Sequence, residues 1–374
     1  MNRTPEGCLK AAAPPASRSR QPDVEALRAA AALMVLASHL PWYQYFPGGV
    51  WLSAPHWLAY RAPLLGIGGL AVVIFLVVSG AGLCRLLVLR TPRMRPYLRQ
   101  RLGRLFGVFW VVAVPIIALW FALGWLPLRD AGNAALVLLG VGFVSKASWA
   151  AVFPSWWYMA IAWQVVLTVP VMVWLMRRIR PAGALAVTAV VVIASCYLVP
   201  LLGMTWDGEK SLIVARALEV IGGAFLALEL WPEVRERLGV SRRGAALLVA
   251  ATIAVIFGMY FSGLGGRWLY RGAGLALVAA VIYVRPLERL GWARLSALAV
   301  TAGGASFALY LLHEPLMSII RRLTHSPDHI SLLLLGLISL VVVTPLAVLF
   351  SYAERAWTAR AAARAKADAK GEAV

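Results

Sequence analysis

The chain alternates long apolar runs with short clusters of arginine. Apolar stretches lie near residues 24–41, 66–88, 104–123, 156–176, 182–203, 211–231, 244–262, 267–284, 297–319 and 331–352. A run of about 20 residues, wound as an α-helix, crosses the roughly 30 Å hydrocarbon layer of a bilayer. The pattern therefore predicts an all-α polytopic membrane protein with about ten transmembrane helices. One further run, Ala134–Phe153, is interrupted by Ser145, Lys146 and Ser148. The distribution of positive charge decides how to read it. With ten spans and an inside N-terminus, the seven arginines from Arg85 to Arg104, the "RRIR" at 177–180, the "VRERLGVSRR" at 234–243 and the "RPLERLGWAR" at 285–294 all face the cytoplasm. An eleventh span would turn the later clusters outward, against the positive-inside rule. Ala134–Phe153 is accordingly expected to be re-entrant or interfacial.

Composition agrees with this architecture. Of 374 residues 61% are hydrophobic and only 14% charged, too little polar surface to cover a water-soluble globule. The net charge of +20 sits in the short loops between apolar runs, so it records topology and gives no reason to expect nucleic acid. Cys8, Cys84 and Cys196 have no metal-ligand spacing, and neither a disulfide framework nor a metal site is expected. The Pro- and Arg-containing start reads as a disordered tail rather than a signal peptide. The organisation expected is a cytoplasmic tail over 1–22, one membrane domain over 23–355 and a basic cytoplasmic tail over 356–374. The chain is placed as multi-pass in the cell membrane with both termini inside.

Two apolar segments carry ionisable groups on one helical face. In "VEALRAAAALMVLASH", Arg28 and His39 are eleven residues apart, three turns plus about 20°, so they share a face and stand about 16 Å apart along the axis. Arg28 falls near the cytoplasmic entrance, where an arginine also serves as a snorkelling anchor. His39 falls deeper, at a depth where ionisable groups meet a cavity or a partner. In "SFALYLLHEPL", Ser306, Tyr310 and His313 fall at i, i+4 and i+7 and form one polar stripe, with Pro315 as a kink site. His56, His325 and His329 read as loop residues.

These segments resemble, in order, those of the acyltransferase-three family of membrane O-acyltransferases. The Arg, ten residues, His arrangement at 28–39 looks like the family's first span, and "IFLVVSGAGL" at 74–83 like its Phe-x-x-x-Ser-Gly element. "YLRQRLGRLF" at 97–106 resembles the basic entry of its third span. "SFALYLLHEPLM" and "YAERAW" resemble its C-terminal elements. One segment departs: "WYMAIAWQVVLTVP" keeps the register of the family's Trp-Ser-x-x-x-Glu-Glu-Gln stretch, but Ala162 and Trp163 replace the acidic pair.

The resemblance implies transfer of an acyl group, acetyl being expected, from acyl-CoA to a hydroxyl of a glycan or glycosylated molecule. A secondary metabolite such as a macrolide sugar is a second acceptor class, and a multispan transporter without acyl transfer is the reading outside enzymes. The transfer requires a base, donors for the thioester oxyanion and positive charge for phosphates. His39 is the candidate general base, with His313, Tyr310 and Ser79 as further catalytic candidates. Arg28, Arg101 and Arg104 are candidates for the donor's phosphates. Trp156, Trp157, Gln164 and Ser306 are candidates for the acceptor. No permanently bound cofactor is expected; acyl-CoA enters as a substrate, and the bilayer is the remaining partner.

Overall fold

The computed structural model describes residues 21–39, 54–142, 152–201, 212–262, 267–324, 341–342, 344–353 and 356. Among the described residues eleven α-helices follow one another in chain order up to Thr324, and a further short apolar helix covers Thr344–Ala353. The eleven are α1 (Pro22–Ser38), α2 (Ala54–Arg90), α3 (Met94–Ala122), α4 (Ala131–Leu138), α5 (Trp157–Leu201), α6 (Ala217–Leu230), α7 (Pro232–Arg237), α8 (Arg242–Phe261), α9 (Arg267–Val284), α10 (Pro286–Arg289) and α11 (Ala293–Thr324). Single 3₁₀ turns at Leu128–Asp130, Pro154–Trp156 and Ile213–Arg216 precede α4, α5 and α6. No strand occurs among the described residues.

Six of the described helices are long and apolar enough to cross a bilayer: Ile67–Arg90, Met94–Ala122, Trp157–Leu198, Arg242–Phe261, Trp268–Arg289 and Ala293–Ile319. The protein is thus an all-helical, polytopic membrane protein, while the expected count of ten goes beyond what these six establish. The differences have identifiable causes. The expected spans 156–176 and 182–203 form one continuous helix except at Ile179 and Arg180, whose backbone is not helical. Pro181 follows, and proline disfavours helical geometry in the residue before it. The first expected span, α1, has 17 residues, at the lower limit for a crossing, and α6 has 14, short of one. Most of the expected last span, 331–352, lies outside the described residues. So does 143–151 of the interrupted run; α4 covers eight residues of the stretch before it and ends at Leu139 and Gly140, the latter at φ +73°. Eight residues rise about 12 Å, far less than a membrane thickness. His56, expected in a loop, lies in the first turn of α2.

Short as it is, α6 is the centre of the bundle. All its residues except Glu229 are buried, as befits a helix that is apolar on every side. Glycine lets α2 cross it at backbone distance: a Cβ on Gly80 would collide with the Val220 carbonyl, and one on Gly223 with the Val77 carbonyl. The outer helices α3, α5 and α8 instead expose Trp110, Val111, Trp174, Val190 and Leu247, which suits a hydrocarbon solvent. Helix α1 packs between α2 and α11. Its start follows from Pro22 in the first turn, with Asp23 and Glu25 at the positive end of the helix dipole. Asp23 also accepts a 2.9 Å hydrogen bond from the Leu287 amide, which ties α1 to α10.

Candidate active site

Packing α1 against α2 and α11 brings most of the singled-out residues around one cavity of about 610 Å³. Arg28 enters it from α1, Ser79 from α2, Arg101 and Arg104 from α3, and Ser306 and Tyr310 from α11. The periodicity of the two polar segments is what delivers them: each presents its residues on a single helical face toward the common space.

Arg28 is oriented by Glu25, one turn earlier, through a 3.1 Å ion pair. Its side chain keeps 34% of its surface open while Glu25 keeps only 7%, so the carboxylate is the fixed partner and the guanidinium faces the cavity. Glu25 in turn packs against Gly303, where a side chain would strike both its backbone and its carboxylate. Ser79 faces the Tyr158 hydroxyl as a hydrogen-bond partner. Gly80 serves helix packing and Ser79 lines the cavity, so the adjacent pair divides two roles. Arg28→Ala is expected to weaken binding of a phosphate-bearing ligand to this cavity by about tenfold or more, and Arg28→Lys to recover it only in part, because lysine lacks the bidentate fork. Calorimetry that returns the wild-type affinity for both variants would reduce Arg28 to an anchor.

His39 and His313 do not line this cavity, yet they meet each other. Their rings lie 4.9 Å apart, centroid to centroid, at 67°. Both are oriented by their own helices. His39 Nδ1 lies 2.8 Å from the Val35 carbonyl oxygen, and His313 Nδ1 lies 2.6 Å from that of Tyr310. A carbonyl only accepts, so each Nδ1 carries the hydrogen and each Nε2 keeps its lone pair in the neutral ring. His313 is fully buried, and among the described residues its Nε2 has no hydrogen-bond partner. Backbone carbonyls thus orient both rings, with no carboxylate at 162 or 163 to do so. Of the two replacing residues, Ala162 lines the cavity, and Trp163 donates its indole N–H to the Gly140 carbonyl at 3.0 Å.

Tyr310 joins the histidine pair to the cavity. It lines the cavity, its ring lies 5.9 Å from that of His313, and its hydroxyl donates to the Ser155 carbonyl. The same turn is held to α11 twice more: the Ser155 amide donates to Glu314 at 2.7 Å, and the Trp156 indole donates to the Leu311 carbonyl at 3.1 Å.

The acceptor candidates separate. Ser306 is at the cavity, whereas Trp156, Trp157 and Gln164 are not among its lining residues. Trp156 is fully buried between Phe109 and Phe153 and serves as a strut for α11. Gln164 bridges two elements, donating to the Ala160 carbonyl at 2.7 Å and accepting from the Ile213 amide at 3.0 Å. Trp157 is half-buried beside Tyr158. The sequence reading missed Glu25, Arg85 and Tyr158 at the cavity. Glu25 had a legible signal, its i, i+3 spacing to Arg28; Arg85 had none beyond its place in a basic cluster.

A family model described as an acyltransferase domain matches residues 21–353 of the chain. No curated protein and no solved structure matches it.

Proposed function

The chain belongs to the acyltransferase-3 family and is a membrane acyltransferase; from that premise we propose that it transfers an acyl group, acetyl in the simplest case, from acyl-CoA to a hydroxyl of a glycan or glycosylated acceptor. The observation that carries this reading is the make-up of one cavity. Arg28, Arg85, Arg101 and Arg104 line it together with Ser79, Tyr158, Ser306 and Tyr310, and Tyr310 abuts the His39–His313 pair. Phosphates and reacting carbonyl would thus be held by different residues of one ligand path.

In this reaction the Nε2 of His39 takes the proton of the acceptor hydroxyl as its oxygen attacks the thioester carbon. The carbon–sulfur bond then breaks, and the thiolate leaving group takes a proton back from the imidazolium. Hydroxyls of Tyr158 and Ser79 are the donors suited to the oxyanion between these steps. His313, with its own unprotonated Nε2, supports the charge that His39 acquires. Positive-inside counting supports placing Arg28, Arg85 and both termini on the cytoplasmic side, where acyl-CoA is made.

The test is an assay of purified protein with labelled acetyl-CoA and candidate glycans. Label is expected in the glycan, with slow hydrolysis of the donor in its absence. Protein that neither transfers nor hydrolyses any acyl-CoA supplied would defeat this reading.

A further inference from the structure

Arg85 is a fourth arginine of the cavity, and nothing in the mechanism above uses it. It lies on α2, six residues beyond Ser79 and three beyond Gly82. Along the helix axis it is therefore about 9 Å from Ser79 and about 4.5 Å past Gly82. Gly82 is the point at which Arg28 crosses α2, since a Cβ there would stand 4.0 Å from Arg28 Nη2. The cavity groups on this wall thus run from Ser79, through Arg28, to Arg85.

The Arg85 guanidinium lies over the indole of Trp231, 4.7 Å from the ring centroid, and both residues line the cavity. Trp231 is itself fixed. It occupies the extended break between α6 and α7, at φ −131° and ψ 99°, and its amide donates to the Ala227 carbonyl at 3.1 Å. An arginine laid flat on an aromatic face keeps its plane oriented and leaves its N–H edge available. Among the described residues no carboxylate pairs with Arg85, in contrast to Arg28 and its Glu25.

Charge shows what such an edge suits. Arg28, Arg85, Arg101 and Arg104 against the single carboxylate Glu25 leave the lining with four minus one, or three, surplus positive charges. A ligand with several phosphates fits that surplus, and coenzyme A carries two kinds: a pyrophosphate within the chain and a phosphomonoester on the ribose at its far end. Arg101 and Arg104, one turn apart on α3, are spaced for the first. Counted along the helices from the α2–α3 connection, Arg85 is five residues in, whereas Arg101 and Arg104 are seven and ten in, so Arg85 lies nearest that end of the two helices. Resting on the acyl-CoA reading, we propose that Arg85, positioned by Trp231, recognises the 3′-phosphate of coenzyme A and sets the preference for coenzyme A over its 3′-dephospho form.

The experiment is calorimetric titration of the purified protein in nanodiscs with coenzyme A and with 3′-dephospho-coenzyme A. Wild type is expected to bind coenzyme A at least about tenfold tighter, the worth of a charge-assisted phosphate contact. Arg85→Gln should erase that preference by weakening coenzyme A alone; unchanged affinity for the dephospho form then also shows that the variant is folded. Trp231→Leu should lose part of the preference and Trp231→Phe should restore it. Equal affinity for both ligands in wild type, or a preference that survives Arg85→Gln, overturns the subsite while leaving acyl-CoA as donor. Binding of neither ligand by wild type overturns the subsite and the donor together.

Discussion

His39→Ala is expected to lower acyl transfer by about 100- to 10,000-fold, the range over which a positioned general base contributes. Donor affinity should stay within about twofold, because the cavity arginines sit on α1, α2 and α3, while His39 is not among the residues lining that cavity. The expectation rests on geometry. His39 closes the far end of α1, its Nδ1 is occupied by the Val35 carbonyl, and only its Nε2 is left to accept a proton. His39→Gln should fare no better, since an amide has no basic nitrogen. Turnover is measured with labelled acyl donor on purified protein and donor affinity by calorimetry on the same sample. Wild-type turnover by His39→Ala would remove it as the base; lost turnover together with lost donor binding would point to a collapsed bundle instead.

Glu219→Ala should be the most damaging single change to the fold. Glu219 is fully buried on α6, 3.0 Å from Arg216 and 3.4 Å from Arg271, and those arginines are themselves 3% and 2% exposed. Two cations and one anion are held where solvent does not reach. The geometry is further fixed by a 2.8 Å bond from Arg271 to the Ala215 carbonyl and by its stacking over Trp268. Removing one partner of a buried ion pair costs about 3–5 kcal/mol, because the remaining charge is left uncompensated. Here Arg216 would lose its 3.0 Å partner and Arg271 its 3.4 Å one. The apparent melting temperature of Glu219→Ala in detergent should fall by many degrees, with Glu219→Gln intermediate because it keeps an acceptor oxygen but not the charge. An unchanged melting temperature for both variants would mean that water or lipid headgroups already neutralise the arginines. This cluster was not foreseen: Arg216 and Glu219 are ordinary i, i+3 neighbours in the sequence, and Arg271 lies 52 positions beyond Glu219 with no local pattern that joins them.

That contrast runs through the molecule. Helical character, membrane location and the two polar faces were legible along the chain, because each depends on spacing within about a dozen residues. An apolar run announces its solvent, and Arg28 with His39, or Ser306 with Tyr310 and His313, announce a shared face through the 3.6-residue period. Even the break at Arg180 has a local cause in the following proline. What no local pattern contains is which faces meet. His39 and His313 are in contact across 274 positions of chain, Arg85 finds Trp231, and Trp156 turns from a candidate substrate contact into a strut for α11. These outcomes depend on where helices cross. The crossings are set by side-chain absence at Gly80, Gly223 and Gly303, each of which brings a neighbouring backbone close enough to fix depth and register. The sequence by itself determined which residues travel together on a helix. Only the packed bundle decided which of those sets face one another, since a glycine contact becomes specific through the partner backbone it admits.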